Sequence, residues 1–295
     1  MGSLGNNDKY YMLKSKPFLS LHTQISPRIE TFFLREWIEH NLMIGVDKIY
    51  IYNHGFAIDS GADDKNRWRK KPYLNYFFEY SDQEIMDFLI EIVTDYKDVS
   101  LIDWQRKECN QYRSRCQVFG YHNCMKRHSS KYWMHIDPDE YVLSDTFLTI
   151  KDFIKDKPSK YVKFVMGQKV FGIRKFGHPT RGNVRCKNKF LRSCGKTKCI
   201  VRSGCLRPLR GRFDVISAMH SPKIKAGHEF ICGWKDLRYN HYRGAVPGGF
   251  RHEMRKFKGV GQERFERMCR YNLRGKDTSM INFLKRHDID ISDYF

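Results

Sequence analysis

The sequence predicts a single α/β domain built on a mixed, mostly parallel sheet flanked by helices. Three observations carry that expectation. Four short apolar runs alternate with helix-period stretches across the first 136 residues. No internal repeat or low-complexity linker divides the 295-residue chain. The fourth apolar run ends in an acidic turn, and open α/β sheets take ligands beyond the carboxyl ends of their strands.

The elements follow in order. Residues 1–16 read as a disordered tail, and Asn6 stands where a myristoylated Gly2 would want Ser or Thr. Pro17 to Leu21 is a short strand. Pro27 to Ile44 is a helix striped by Phe33, Trp37, Leu42 and Ile44 and ended by Gly45. Val46 to Tyr52 is a strand closed by Asn53-His54-Gly55, and Asp59 to Lys71 is a polar loop. Ser81 caps a helix to Tyr96, Val99 to Trp104 is the third strand, and Glu108 to His128 is a long helix. Tyr132 to Ile136 is the strand that feeds the acidic turn. Beyond residue 150 come a short helix at Ile150 to Lys155 and a strand at Tyr161 to Val170. A basic, weakly periodic region covers 172–212, followed by a strand at Val215 to Met219. Helices at Glu263 to Arg270 and Met280 to Arg286 end the chain. Residues 17–295 thus form one domain, divided at 150 by a change of pattern.

Composition narrows the function classes. Hydrophobic residues make up 41% and aromatics 15%, enough for a packed core. No run reaches the ~18 apolar residues of a transmembrane helix. The N-terminus has no basic segment followed by an apolar one, so no signal peptide is read. Nine cysteines, an odd number, suit a reduced intracellular protein better than a disulfide framework. Only Cys194 and Cys199 approach zinc-ligand spacing, and no second pair joins them. A soluble cytoplasmic protein is expected, of the kind a large virus encodes, or a trimmed form of a membrane-anchored secretory-pathway enzyme. Net charge is +21, concentrated in residues 151–275, and it favours polyanionic partners. A basic nucleic-acid-binding protein is the rival this raises. No helix-turn-helix, zinc-finger or RNA-recognition signature supports it, and no nucleic-acid partner is expected.

The chemistry concentrates at Asp137-Pro138-Asp139-Glu140. Three carboxylates this close repel one another unless a cation or proton holds them. Hard oxygen ligands at a strand end suit Mg2+ or Mn2+ bound together with a phosphate-bearing substrate. The plain alternative is a solvated acidic turn, which Pro138 fits. A haloacid-dehalogenase-like phosphatase also ends a strand in Asp-x-Asp. It wants Thr or Val where Tyr141 stands, and a paired acid motif downstream, whereas Asp63-Asp64 lies upstream.

The block Glu36-Trp37-Ile38-Glu39-His40-Asn41-Leu42, with Gly45-Val46-Asp47-Lys48-Ile49-Tyr50-Ile51-Tyr52-Asn53, resembles the opening of glycosyltransferase family 92 and its family 2-like relatives. Trp104, Gln117, Asn123-Cys124 and Trp133 to Tyr141 follow in order. So do Phe171-Gly172, Gly177-His178, Gly195-Lys196, His220-Ser221-Pro222 and Asn240-His241-Tyr242-Arg243. The resemblance spans about residues 17 to 258. It departs where the family often has Arg- or Lys-Asn-Glu, since this chain reads His22-Thr23-Gln24-Ile25-Ser26.

The resemblance implies a GT-A fold, Rossmann-like, with a nucleotide-sugar half over 17–150 and an acceptor half over 151–295. It implies a metal-dependent transfer of a hexose from a nucleotide diphosphate sugar, UDP foremost, to a glycan acceptor, with inversion. Mn2+ or Mg2+ would be held by Asp137 and Asp139, Asp139 binding directly and Asp137 contacting ribose or the metal through water on the nucleotide side, with His241 as the distant third ligand. His220 is the second choice for that ligand. Arg243 would hold the diphosphate. Tyr52, Asn53 and Gln117 would line the nucleotide pocket. Gln117 and Asn123, six residues apart on one helix, do not share a face, so at most one of them is expected there. Inversion needs a general base opposite the leaving group. Glu229, in an expected loop Gly227-His228-Glu229-Phe230, is the first candidate and Asp214 the alternative; Asp236 and Glu253 are weaker. Glu140, on the donor side, supports the loop.

Overall fold

The computed structural model describes residues 16–56, 80–104, 113–171, 185–186, 197–207, 220–242, 275–276, 278–290 and 292. Its first half follows the alternation read from the sequence. Strand β1 (Leu19–Ile25) leads to helix α1 (Pro27–Met43), β2 (Lys48–Asn53), α2 (Asp82–Thr94), β3 (Val99–Asp103), α3 (Arg113–Arg127) and β4 (Tyr132–His135). Then come β5 (Glu140–Leu143), α4 (Ile150–Asp156), β6 (Tyr161–Val170), β7 (Arg185–Cys186), β8 (Thr197–Arg202), β9 (His228–Ile231), β10 (Arg238–His241), β11 (Gly275–Lys276) and α5 (Ser279–Arg286). The expected strand at Val215 to Met219 and helix at Glu263 to Arg270 lie outside the described residues, as do the tail to Ser15 and the loop at 59–71.

The main sheet runs β3-β2-β1-β4-β8-β6-β10-β5, with β9 also pairing β6. Joints β2–β3, β1–β2, β1–β4, β6–β10 and β6–β9 are parallel. Joints β4–β8, β6–β8 and β5–β10 are antiparallel. The sheet is therefore mixed and mostly parallel, as expected.

Period-2 alternation sorts the core onto two faces. Ile49, Ile51 and Met134 pack with Leu34, Trp37 and Ile38 of α1 and Phe153 of α4. Their strand neighbours Tyr50, Tyr52 and Trp133 turn the other way, onto Tyr121 and Cys124 of α3. A Cβ at Gly120 would stand 3.2 Å from His22 Nε2, so glycine lets α3 approach the sheet closely. Gly45 ends α1 with φ +90 and faces Thr149 Cβ. Ser81 caps α2 in a full capping box with Glu84.

Candidate functional site

The acidic turn is a closed four-residue turn. Glu140 N–H donates to Asp137 O at 2.9 Å, and Pro138 takes the position where its fixed φ suits the turn. Asp137 N–H in return donates to Glu140 Oε2 at 3.0 Å. The block around Trp37 explains why β5 stays in place. Trp37 Nε1 donates to Glu140 O at 3.1 Å and His40 Nε2 donates to Val142 O at 2.7 Å, so α1 covers the unpaired side of an edge strand.

Strand β10 brings the distant histidine. Its register sets His241 opposite Glu140 and beside Val170. His241 Nε2 donates to Asp139 Oδ2 at 3.0 Å, across 102 residues of chain. Gln168 Nε2 contacts His241 Nδ1 on the other side of the ring. Tyr242 N–H donates to Asp139 O at 2.9 Å and locks β10 to the turn.

Asp137 faces a different partner. Lys198, at the start of β8, is wholly buried, and its Nζ lies 2.9 Å from both Asp137 Oδ2 and Glu140 Oε2. Asp137 Oδ1 is 3.5 Å from Gln117 Nε2 and 3.8 Å from His135 Nε2. Behind it, His135 Nδ1 and His22 Nδ1 share a hydrogen bond of 2.8 Å.

The electrostatics follow burial and this lysine. Burial pushes the Asp137 carboxyl up, but Lys198 and then His135 outweigh it and hold the group well below the usual carboxylate range. For Glu140 burial leads; against the pull of Lys198, it raises the group to about 7. One ammonium is shared by two carboxylates, and Asp137 takes the larger part. Burial lowers Lys198, but Asp137 and Glu140 together hold it above the ordinary lysine range. Burial, then Lys198, takes His135 down to about 3. Burial, then Lys198, also lowers His220, whose Nδ1 donates to Thr197 O at 3.1 Å.

Other expected site residues fall as follows. Tyr52 is buried, and its hydroxyl donates to Asn123 Oδ1 at 3.1 Å. Asn53 makes the turn, its Oδ1 accepting from Gly55 N–H at 2.8 Å. Gln117 points at the acidic turn while Asn123 points at Tyr52, as their spacing implies. Glu229 lies on strand β9 rather than in a loop, and its Oε1 accepts from Lys163 Nζ at 2.8 Å. Lys163 stands seven positions along β6 from Val170, the neighbour of His241, so roughly 23 Å of strand separates them. The structure does not bring Glu229 to the acidic turn. Arg243, Asp214 and Glu253 lie outside the described residues, and Asp236 Oδ2 caps Gly233 N–H at 3.0 Å.

Sequence reasoning missed Lys198 and Gln168. Lys198 was one cation in a basic stretch, and Gln168 one polar residue in a strand. Only the register beside β10 and β4 singles them out.

The described residues fit a divalent cation as an open, two-residue anchor: one carboxylate, Asp139, and one imidazole, His241. Among them no group of three or more His, Cys, Asp or Glu side chains stands ready to hold a metal. Mg2+-type sites hold their ion through one or two carboxylates, with water and substrate phosphate filling the rest.

No family model and no curated protein matches the chain. Among solved structures it is similar to S. aureus TarS 1-349, with a TM-score of 0.42 at 10% identity, covering 91% of this chain and 72% of that one. The same protein in complex with UDP-GlcNAc gives a TM-score of 0.40 at 9% identity, over 76% and 58% of the two chains. The mannosyltransferase PcManGT from Pyrobaculum calidifontis, in complex with GDP-Man and Mn2+, gives 0.31 at 8%, over 63% and 45%. At these scores and identities the likenesses decide nothing about activity.

Proposed function

We propose that this chain is a metal-dependent glycosyltransferase of GT-A type. It transfers a hexose from a UDP-sugar to a glycan acceptor with inversion. One observation carries the reading: Asp139 and His241 meet at 3.0 Å where the acidic turn closes on β10. The family-like sequence blocks supply the rest.

A divalent cation at Asp139 and His241 would stabilise the charge that develops on the diphosphate leaving group. His241 must then present a bare Nε2, with its proton on Nδ1. Gln168 permits this, because its amide turned end for end accepts from Nδ1–H. Asp137, whose Oδ2 pairs with Lys198, is assigned to the nucleotide side of the same turn. Arg243, the residue after Tyr242, is assigned to the diphosphate, for which a guanidinium is suited. Tyr52 and Asn53 close the strand end on the base side. Glu229 is engaged by Lys163 far along β6, so the base is assigned to Asp214, the alternative named from the sequence ahead of Asp236 and Glu253.

The test is thermal-shift screening of nucleotide sugars with and without Mn2+. A UDP-sugar is expected to raise Tm only when Mn2+ is present. A shift of equal size in EDTA, or none with any nucleotide sugar, counts against the reading.

A further inference from the structure

We propose that Lys198 is an internal counter-cation of the acidic turn. Its ammonium fills the Asp137–Glu140 side and leaves a single divalent ion to the Asp139–His241 side. The inference deepens the proposed function and rests on its reading of Asp139 and His241.

The geometry is specific. The lysine is 0% exposed and stands 2.9 Å from each of two carboxylates. Glu140 Oε2 accepts from both Lys198 Nζ and Asp137 N–H, so the ammonium, the turn backbone and both acids form one unit. Asp139 takes no part in it and turns to His241 instead. A fully buried ammonium is costly unless paired and hydrogen-bonded, and these two acids pair with it. β8 fixes the lysine's height in the sheet, since Lys198 pairs with Met166 and Ile200 with Met134. The chain thus builds one cation of the site into a strand rather than recruiting it.

The role differs from simple packing in what it predicts for metal. Without the ammonium, Asp137 and Glu140 become available to an added cation. Lys198→Met is expected to lower Tm in EDTA by roughly 10 °C, as for a broken buried ion pair in a domain of this size. Mn2+ is expected to restore most of that loss, and Mn2+ affinity read by electron paramagnetic resonance to rise about tenfold as a neighbouring like charge is removed. The double variant Lys198→Met with Glu140→Gln removes one anion with the cation, and it is expected to fold if the single variant does not. Its Mn2+ affinity is expected to return to near the wild-type value. Equal destabilisation with and without Mn2+, or a double variant whose Mn2+ affinity differs tenfold from wild type, would overturn the proposal. Wild-type protein that takes no Mn2+, beside a Lys198→Met variant that takes one ion, supports Lys198 as the cation while sinking the metal half of the proposed function. Absence of Mn2+ binding in both overturns it.

Discussion

Asp139 and His241 are separated by 102 residues in sequence and 3.0 Å in space, and each depends on its own strand. His241→Gln is expected to weaken Mn2+ binding by about tenfold or more, because an imidazole ligand is lost while the carboxylate remains. Titration of Mn2+ into the variant checks this. Glu229→Gln tests the other end of the molecule. With its carboxylate on the buried Lys163, roughly 23 Å of strand from His241, the substitution is expected to leave donor hydrolysis within about twofold of wild type. At this scale the sequence was legible where chemistry and position coincided. Three acids beside a proline at a strand end announce themselves, and so does a histidine within an aromatic block. Lys198 did not, because a lysine among many cations becomes informative only when burial is known.

Elements were legible where a strand lies between helices. The run Lys48-Ile-Tyr-Ile-Tyr-Asn53 alternates cleanly between two buried faces, and the flanking helices mark its ends. Strands β5, β8 and β10 were not read, for physical reasons. Each has only four to six residues. β8 and β10 carry Lys198, Arg202, Arg238 and His241, whose charges mask their apolar neighbours. Register, not composition, makes them strands. Two helix-end predictions belong here. Ser81→Ala removes the hydroxyl that accepts from Glu84 N–H, the side-chain half of the capping box, and is expected to cost about 1 kcal/mol in denaturant unfolding. Gly45→Ala puts a Cβ at φ +90 and 3.0 Å from Thr149 Cβ, and is expected to cost about 1–3 kcal/mol.

Across the whole molecule, the fold keeps several histidines neutral inside. Burial takes His40 down to about 4 from an ordinary 6.5, against a smaller opposing pull from its bond to Val142 O. Its folded value is depressed, so the unfolded chain binds more protons between those two values. Stability is expected to fall as pH drops through that window, with a slope of up to ~1.4 kcal/mol per pH unit from this residue. Melting curves from pH 8 to pH 4 check this, and His40→Gln is expected to flatten the slope. The net charge of +21 favours charge-driven contact with polyanions. Binding to random DNA is expected to collapse between about 50 and 200 mM salt, as charge-driven contacts do, whereas donor binding through a metal and two strand ends persists.

The central claim is that Asp139 anchors the metal through which a sugar nucleotide is activated. The most direct measurement is UDP-sugar hydrolysis by wild-type protein and by Asp139→Ala, each with Mn2+ and with EDTA. The account expects turnover only in wild type with Mn2+, and a loss of at least about a hundredfold in the variant, the scale of losing one charge-stabilising group. Hydrolysis that continues in EDTA and survives Asp139→Ala would contradict it.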